Sequence, residues 1–324
     1  MDISVVVCTY NQAPSLRLTL EALAAQVTPP DLAWEVVVVD NNSSDATARV
    51  VDAFVATARI RVRYLFVGRQ GLSHARNTGL AHATGAVVAF TDDDVGPAPE
   101  WLASISIAMR ESGADIVGGR ILPAWDSPPP PWLRGRAFVP GHLAIMEHEA
   151  PAVLRAATGM PAIWGANMAF RRDVFDRVGR FDPRFGLVGT RLYRGEEVDL
   201  VARALAVGCR AVYDPRLVVW HRIGADRMCV RYLSRLSFQR AEGQARAESA
   251  PAGRQLLGAP LYTYRAAARG VASWLRAVAH RRPDTLDRWL ECCEAIGLVC
   301  GHVKARRARA RSRPRERGPD GAGG

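Results

Sequence analysis

Short, wholly apolar runs that end in polar residues dominate the first ninety positions. ISVVVC (3–8), WEVVVVD (34–40) and AVVAF (86–90) have the length and the β-branched content of buried strands. Apolar residues at helical spacing, such as Leu16, Leu20 and Leu23, occupy the intervening segments. Because wholly apolar strands alternate with helices when both faces of a parallel sheet are covered, we predict an α/β fold. The prediction is a mostly parallel, Rossmann-like sheet with helices on both faces.

Each predicted strand is followed at once by polar residues. These are CTYN (8–11), DNNSSD (40–45), GRQGLSHARN (68–77) after the alternating strand IRVRYLFV (60–67), and TDDD (91–94). Ligands of open parallel sheets bind beyond the carboxyl ends of the strands. We therefore expect the four segments to line one crevice. Consecutive carboxylates at the end of a buried strand also call for a counter-ion.

The positive charge is concentrated at the carboxyl end. Of the net +11, the last 21 residues (304–324) contribute eight Lys or Arg against Glu316 and Asp320. This tail is rich in Arg, Pro and Gly, so we predict that it is disordered. It is a solvated tail or is attracted to anionic lipid. A specific nucleic-acid partner is not expected, because aromatic interleaving and zinc-finger spacing are absent from the sequence.

Cysteine spacing and hydropathy bear on location. The six cysteines show neither a CxxC pair nor regular spacing, which favours reduced thiols over a disulfide framework or a zinc site. The first residues lack the basic flank of a secretory signal, and apolar runs do not reach about 18 residues. A cytoplasmic protein is expected.

Residues 226–303 differ in character from those before them. The pattern predicts three helices. The apolar face of the second consists of Tyr264, Ala268, Val271, Trp274 or Leu275, and Val278. Arginines lie beside that face. A basic amphipathic extension of this kind binds a membrane surface peripherally, or it packs against the preceding domain or a second subunit.

A family resemblance emerges from the order of the motifs. VVVCTYNQ, EVVVVDNNSSDAT and GLSHARNTGLAHATGAVVAFTDDDV precede WGANMAFRRDVFDRVGRFDP, GEEVDLVARALAVG and YDPRLVVWHRIG. Together they resemble family 2 glycosyltransferases with the GT-A fold over about residues 2–225. The resemblance implies a catalytic domain over 1–225, made of a nucleotide-sugar-binding half (1–123), an irregular acceptor-side flap (124–161) and an acceptor or catalytic half (162–225). A helical extension (226–303) and the tail follow.

The resemblance implies a metal site. Asp92, Asp93 and Asp94 match the DxD motif, with Asp94 as the direct ligand, Asp92 sharing the site, and Asp92 or Asp93 near the ribose. His221 matches a late histidine that completes the site, and Mg²⁺ or Mn²⁺ suits such oxygen ligands. The alternative is a loop of exposed acids that caps the next helix.

The same resemblance implies nucleotide-sugar contacts. Asp40 would accept a hydrogen bond from the base, and Arg76 would meet phosphate or base or else be a structural arginine. The other expected contacts are Thr9, Tyr10, Asn11, Asn77, Gly165 and Asn167, the last two in a turn of small residues before an edge strand.

Within RGEEVDL (194–200), the resemblance implies that an acidic residue acts as the general base for the acceptor hydroxyl. Glu197 is the expected general base, Glu196 is the alternative, and Asp199 points elsewhere on the helix. Ordinary capping of a helix N-terminus would explain the same acids without catalysis. One base opposite the leaving group implies inversion at the anomeric carbon.

The expected function is therefore metal-dependent hexosyl transfer in polysaccharide or glycoconjugate synthesis. The donor would be a nucleotide-diphosphate sugar, with UDP favoured, and the acceptor a hydroxyl of a saccharide or lipid-linked saccharide. Two alternatives remain open. A sugar-phosphate nucleotidyltransferase would need a glycine-rich first loop, which CTYNQAPSL lacks. In a non-catalytic nucleotide-binding protein, the acidic residues of TDDD and RGEEVDL would have no catalytic role.

Overall fold

The chain forms two compact units. The computed structural model describes residues 1–156, 159–186, 195–247 and 253–312. The first unit spans Met1–Tyr232 and the second Leu233–Gly324. The boundary predicted after residue 225 therefore falls a few residues before the observed one.

Strands and helices alternate along the first unit. The strands of the chain are β1 (Ile3–Thr9), β2 (Trp34–Asp40), β3 (Arg61–Phe66), β4 (Val87–Asp92), β5 (Val95–Pro97), β6 (Ile116–Trp125), β7 (Ala152–Val153), β8 (Met168–Arg171), β9 (Ala211–Ile223), β10 (Gln255–Leu256) and β11 (Ala259–Pro260). The α-helices are α1 (Ala13–Ala24), α2 (Thr47–Thr57), α3 (Leu72–His82), α4 (Trp101–Ser112), α5 (Val139–Leu143), α6 (Asp173–Val178), α7 (Glu196–Ala206), α8 (Val230–Ala247), α9 (Leu261–Ala279) and α10 (Thr285–Ser312).

One large sheet organises the first unit. Its strand order is β3-β2-β1-β4-β8-β6-β9-β5, and β7 pairs with β9. The first four strands are parallel, as are β6 and β9, and these pairs make up most of the ladder. Every residue of β1 is buried, so both faces of the sheet are covered there. The predicted mostly parallel α/β fold is confirmed.

Two local predictions from the sequence need correction. β8 was expected at the edge of the sheet, but it lies between β4 and β6 and is antiparallel to both. The predicted irregular segment 124–161 begins with the last residues of β6, and it contains the short helix α5 and the two-residue strand β7.

Three helices make up most of the second unit, as predicted. Helices α8 and α10 approach so closely that a Cβ added at Gly297 would lie 2.3 Å from the Phe238 carbonyl oxygen. The rings of Trp274 and Trp289 lie 4.9 Å apart between α9 and α10. Helix α10 continues through Ser312, so residues 304–312 of the predicted disordered tail are helical. Residues 313–324 lie outside the described residues.

A helix that crosses a bilayer needs about 20 predominantly apolar residues in succession. Over the described ranges, no helix combines the length and the apolar character that crossing a bilayer requires.

Candidate active site at the carboxyl ends of the strands

Strand register brings the polar segments together. Cys8 pairs with Asp92 across β1 and β4, and Thr9 pairs with Asp40 across β1 and β2. The strand order turns at β1, because β2 lies on one side of it and β4 on the other. A crevice opens at such a point in doubly wound sheets. The ends of β1, β2 and β4 therefore adjoin one another, as predicted.

Asp40 is held rigidly at the end of β2. Its side chain accepts hydrogen bonds from Tyr64 Oη at 2.7 Å and from the Ser43 amide at 2.8 Å. Only 2% of the residue is exposed. Burial and the bond to Asp40 raise the pKa of Tyr64, so the phenol remains a donor. A carboxylate has about four acceptor sites, so further donors can still be accommodated.

The loop after β1 is tied to the loop after β2. The Asn11 amide donates to Ser43 Oγ at 2.9 Å, and Asn11 Oδ1 accepts from the Ser44 amide at 2.7 Å. Thr9 is 3% exposed and Tyr10 is half-buried. Asn11 is exposed and Thr9 Oγ1 has no hydrogen-bond partner among the described residues, so the nucleotide contacts expected of Thr9, Tyr10 and Asn11 stay predictions.

The three consecutive aspartates face different partners. Asp92 Oδ1 lies 3.4 Å from Arg76 Nη2. Burial and the charge of Asp94 raise the pKa of Asp93 to about 8. Asp94 turns to a separate pair of residues. The repulsion expected within the cluster is thus relieved by neighbours of different kinds.

Asp94 forms a cluster with His221 and Arg227. His221 Nε2 lies 3.4 Å from Asp94 Oδ2, and Arg227 Nη2 donates to the same oxygen at 2.7 Å. Burial alone would raise the pKa of Asp94, but the Arg227 guanidinium that donates to its carboxylate outweighs burial and holds that pKa well below its usual range. Asp94 is therefore a carboxylate near neutral pH.

The tautomer of His221 follows from its hydrogen bonds. Nδ1 lies 2.9 Å from the Leu143 carbonyl oxygen, which can only accept, so Nδ1 bears a proton. Arg227 Nη1 lies 2.8 Å from Nε2 and can only donate. Nε2 therefore presents its lone pair beside Asp94, the arrangement that second-shell carbonyls impose on metal-binding histidines.

A carboxylate oxygen and an imidazole nitrogen side by side suit a divalent cation. In the described part of the chain, groups of three or more His, Cys, Asp or Glu side chains suited to a metal do not occur. Asp92, predicted to share the site, turns instead toward Arg76. The residues fit an ion that is coordinated by two protein side chains here. Its other coordination positions would be filled by a bound donor molecule and by water.

The surroundings of Arg76 correspond to the structural alternative among the roles expected for it. It is 3% exposed, and its Nη1 lies 2.7 Å from Glu196 Oε1. A Cβ at Gly165 would lie 2.2 Å from Arg76 Nη2. Arg76 therefore forms a buried ion pair rather than offering a free guanidinium to phosphate, and Gly165 allows close approach of Arg76 rather than of a sugar.

Two predicted contact residues have structural roles instead. Asn77 Nδ2 donates to the Phe181 carbonyl and its Oδ1 accepts from the Phe181 amide, at 2.8 and 3.0 Å. Asn167 is 1% exposed. Its amide donates to the carbonyls of Arg120 and Leu217 and accepts from Trp101 Nε1. Both side chains use their polar atoms within the protein, so the predicted sugar contact of Asn167 is wrong.

The acids of α7 differ in their surroundings. Glu196 is paired with Arg76, whereas Glu197 is half-buried. Among the described residues, Glu196 Oε2 and Glu197 Oε2 are both buried without a hydrogen-bond partner. Glu197 is close enough to contribute to the raised pKa of Asp92, after burial and Asp94. Asp199 pairs with Arg203 at 2.7 Å, which is consistent with its predicted outward direction. Residues 187–194, including Arg194 of the motif, lie outside the described residues.

Two arginines near Asp94, Arg222 and Arg227, are not among the site residues predicted from the sequence. Arg222 Nη2 donates to the Ser15 carbonyl at 2.9 Å, and its amide donates to the Asp94 carbonyl, so it joins α1 to the acidic loop. Arg227 belongs to the short turn Ala225–Arg227 after β9. The signal in the sequence was a cation six residues after His221, just beyond the last recognised motif.

Sequence comparisons relate this chain to known proteins. A glucosyl-dolichyl phosphate glucuronosyltransferase of Haloferax volcanii is 29% identical over 238 residues, which cover 69% of this chain and 70% of that protein. The succinoglycan biosynthesis protein ExoM of Rhizobium meliloti is 27% identical over 258 residues, covering 79% of this chain and 78% of ExoM.

Solved structures share the fold. The mannosyltransferase PcManGT of Pyrobaculum calidifontis, in complex with GDP-Man and Mn²⁺, superposes with a TM-score of 0.58 at 22% identity, covering 94% of this chain and 86% of that one. Residues 1–349 of S. aureus TarS, in complex with UDP, give 0.55 at 17% identity, covering 97% and 93%. The family described as "Glycosyl transferase family 2" matches residues 4–179. This chain therefore belongs to the family 2 glycosyltransferases, and its fold is GT-A-like.

Proposed function

We propose that this glycosyltransferase is a metal-dependent, inverting hexosyltransferase that uses a nucleotide-diphosphate sugar. The observation that supports this most is a juxtaposition at the carboxyl edge of the sheet. Asp94 and His221 present a pair of cation ligands there, and Glu197 presents a carboxylate oxygen without a partner among the described residues. The diphosphate of a donor needs a cation to stabilise it as it departs, and the attacking hydroxyl needs a carboxylate that accepts its proton.

The proposed cofactor is Mg²⁺ or Mn²⁺. Asp94 and His221 would hold the ion, which neutralises charge that develops on a departing diphosphate. Asp94 remains ionised and His221 keeps Nε2 unprotonated, so both groups are in the form that coordination requires. The Mn²⁺ in the PcManGT complex supports this choice by similarity of fold.

Glu197 is the proposed general base. Its neighbour Glu196 is held through Oε1 by Arg76 at 2.7 Å, and this ion pair favours Glu197 as the carboxylate that accepts the proton, although Glu196 Oε2 also lacks a partner among the described residues. A single base that acts on the acceptor hydroxyl leads to direct displacement and inversion.

For the donor, we propose that Asp40 accepts a hydrogen bond from the base. Tyr64 and Ser43 hold the Asp40 carboxylate in place, so binding of a base costs little further loss of side-chain entropy. A UDP-sugar is favoured, supported by the TarS complex with UDP, although the PcManGT complex contains GDP-Man.

For the acceptor, we propose a hydroxyl of a saccharide or lipid-linked saccharide. The support comes from relatives, one named as acting on glucosyl-dolichyl phosphate and one named for succinoglycan biosynthesis. Segment 124–161 is the proposed acceptor-side flap. The pathway would be synthesis of a cell-surface polysaccharide or glycoconjugate.

A peripheral membrane contact through α9 would suit a lipid-linked acceptor. Tyr262, Leu275 and Val278 are exposed on this helix, at 58%, 53% and 47%. Arg265, Arg269 and Arg276 are also exposed, and their spacing of four and seven residues puts them on one side of this helix. This pattern of apolar and basic residues matches the surface of an anionic bilayer. A location at the inner face of the cytoplasmic membrane remains a prediction.

The direct test is a donor screen by thermal shift and hydrolysis. UDP-, GDP- and dTDP-sugars are compared with and without Mn²⁺, using wild type, Asp94→Asn, and Glu21→Gln as a control that removes an exposed carboxylate. A Mn²⁺-dependent shift with one donor, absent only in Asp94→Asn, supports the proposal. If no donor produces a Mn²⁺-dependent response, or if Asp94→Asn responds like the control, the metal-dependent function is wrong.

A further inference from the structure

Arg227 bridges the two groups that suit a cation. Its Nη2 donates to Asp94 Oδ2 at 2.7 Å, and its Nη1 donates to the His221 Nε2 lone pair at 2.8 Å. One guanidinium thereby engages both proposed ligand atoms. These are charge-assisted contacts, which are stronger than bonds between neutral groups.

The contacts have a direct consequence for ion binding. A divalent ion needs the same oxygen and the same nitrogen lone pair, and it would be repelled by a guanidinium beside them. Binding of the ion and the observed position of Arg227 therefore exclude each other. An ion that arrives alone must break two charge-assisted hydrogen bonds.

Arg227 has a route away from this position. Its side chain is 25% exposed, while Asp94 and His221 are 14% and 6% exposed. Arg227 ends the three-residue turn Ala225–Arg227. Rotation of the side chain toward solvent leaves the better-buried Asp94 and His221 in place.

We propose that Arg227 is a displaceable counter-ion that makes binding of the cation depend on the donor. This inference rests on the proposed metal-dependent function and deepens it. A diphosphate offers the guanidinium oxygen acceptors in place of Asp94, and Arg suits such bidentate contacts. The donor thus removes the competitor of the ion as it binds. By thermodynamic linkage, the ion tightens donor binding by the same factor.

The test is equilibrium Mn²⁺ binding, measured by the EPR signal of free Mn²⁺ in the presence and absence of UDP or GDP. Three full-length proteins are compared: wild type, Arg227→Gln, and Arg231→Gln as a control that removes an exposed charge four residues away. Circular dichroism verifies folding. We expect nucleotide to tighten Mn²⁺ binding to wild type and to Arg231→Gln by about 5- to 100-fold, the usual range of coupling between sites.

Arg227→Gln should behave differently in two respects. Without nucleotide it should bind Mn²⁺ at least about fivefold more tightly than wild type, and its nucleotide coupling should fall by a similar factor. A chemical complement uses Arg227→Ala, in which millimolar methylguanidinium should weaken Mn²⁺ binding by refilling the site. The same additive should leave Mn²⁺ binding to wild type unchanged.

Failure of this inference is distinguishable from failure of the proposed function. If Mn²⁺ binds wild type with nucleotide, but Arg227→Gln gains no affinity for Mn²⁺ alone and keeps the full coupling, the role of Arg227 is wrong and the metal-dependent function stands. If neither protein binds Mn²⁺ with any nucleotide, the metal-dependent function fails and the role of Arg227 fails with it.

Discussion

Arg76 Nη1 lies 2.7 Å from Glu196 Oε1, and both side chains are almost completely buried. This ion pair joins α3, which packs on β1 and β2, to the first turn of α7. Because the next residue of α7 is Glu197, the pair fixes the start of the helix that presents the proposed base. We interpret Arg76 as a positioning residue.

Loss of Arg76 alone should be costly. Arg76→Met leaves Glu196 buried without its cation and should lower the free energy of unfolding by about 3 to 5 kcal/mol. The double variant Arg76→Met/Glu196→Gln should recover part of this loss, since it removes the unpaired charge. Urea denaturation of both variants measures the difference. Equal losses of unfolding free energy in the single and double variants would contradict the coupling of Arg76 to Glu196. Arg17→Met, at an exposed ion pair, is the control and should change the unfolding free energy by less than about 1 kcal/mol.

Glu35 should make stability depend on pH. Burial alone would raise its pKa, but hydrogen bonds from Thr84 and Ser4 outweigh burial and lower the pKa from 4.5. A carboxyl whose pKa is lower in the folded state stabilises the protein above the unfolded value, and this contribution is lost as the pH falls through the folded value.

The variant Glu35→Gln should therefore be less stable than wild type by about 1 to 3 kcal/mol at pH 7, the value of hydrogen bonds to a charged group. The difference should shrink below about pH 4.5. Urea denaturation at pH 7 and pH 3.5 measures both. A difference that does not change with pH would contradict the lowered pKa of Glu35.

Gly297 should be required for the packing of α8 against α10. Alanine in a helix is normally favoured over glycine by about 1 kcal/mol, but here the added Cβ would lie 2.3 Å from a backbone oxygen. We expect Gly297→Ala to destabilise the second unit by about 1 to 3 kcal/mol, as overpacking does. Hydrogen exchange in α8 and α10 measures this. The control Gly141→Ala has open space around the new methyl group.

The face of α9 should bind anionic vesicles. Replacing Arg265, Arg269 and Arg276 by Gln removes three charges, each worth about 1 kcal/mol near an anionic surface. Co-sedimentation with phosphatidylglycerol vesicles should fall strongly, while binding to phosphatidylcholine vesicles stays weak for both proteins. Equal sedimentation of wild type and the triple variant would contradict a role for this face.

The sequence predicts the first half of the fold well because the signal there is local. Each of β1, β2 and β4 is an apolar run, and its register places Thr9, Asp40 and Asp92 together. The family motifs also single out Asp94 and His221, whose side chains lie 3.4 Å apart.

Other features depend on tertiary contacts that a pattern does not contain. The side-chain amide of Asn167 donates hydrogen bonds to carbonyls 47 and 50 residues away in the sequence, so its sequence neighbours do not reveal its structural role. The helical residues 304–312 were missed because their charge suggested disorder. Arg and Ala are strong helix formers, and extension of a helix that is already packed needs no new nucleus.

The most direct test of the account is the comparison of Glu197→Gln with Glu196→Gln. With the donor and Mn²⁺ identified in the screen, we measure donor affinity and turnover for each. Glu197→Gln should retain donor affinity and lose turnover by about 10²- to 10⁴-fold, the usual contribution of a general base. Glu196→Gln should instead lose stability, because its pair with Arg76 is weakened. Near-normal turnover in Glu197→Gln, with the loss in Glu196→Gln at unchanged stability, would contradict the assignment of Glu197 as the base.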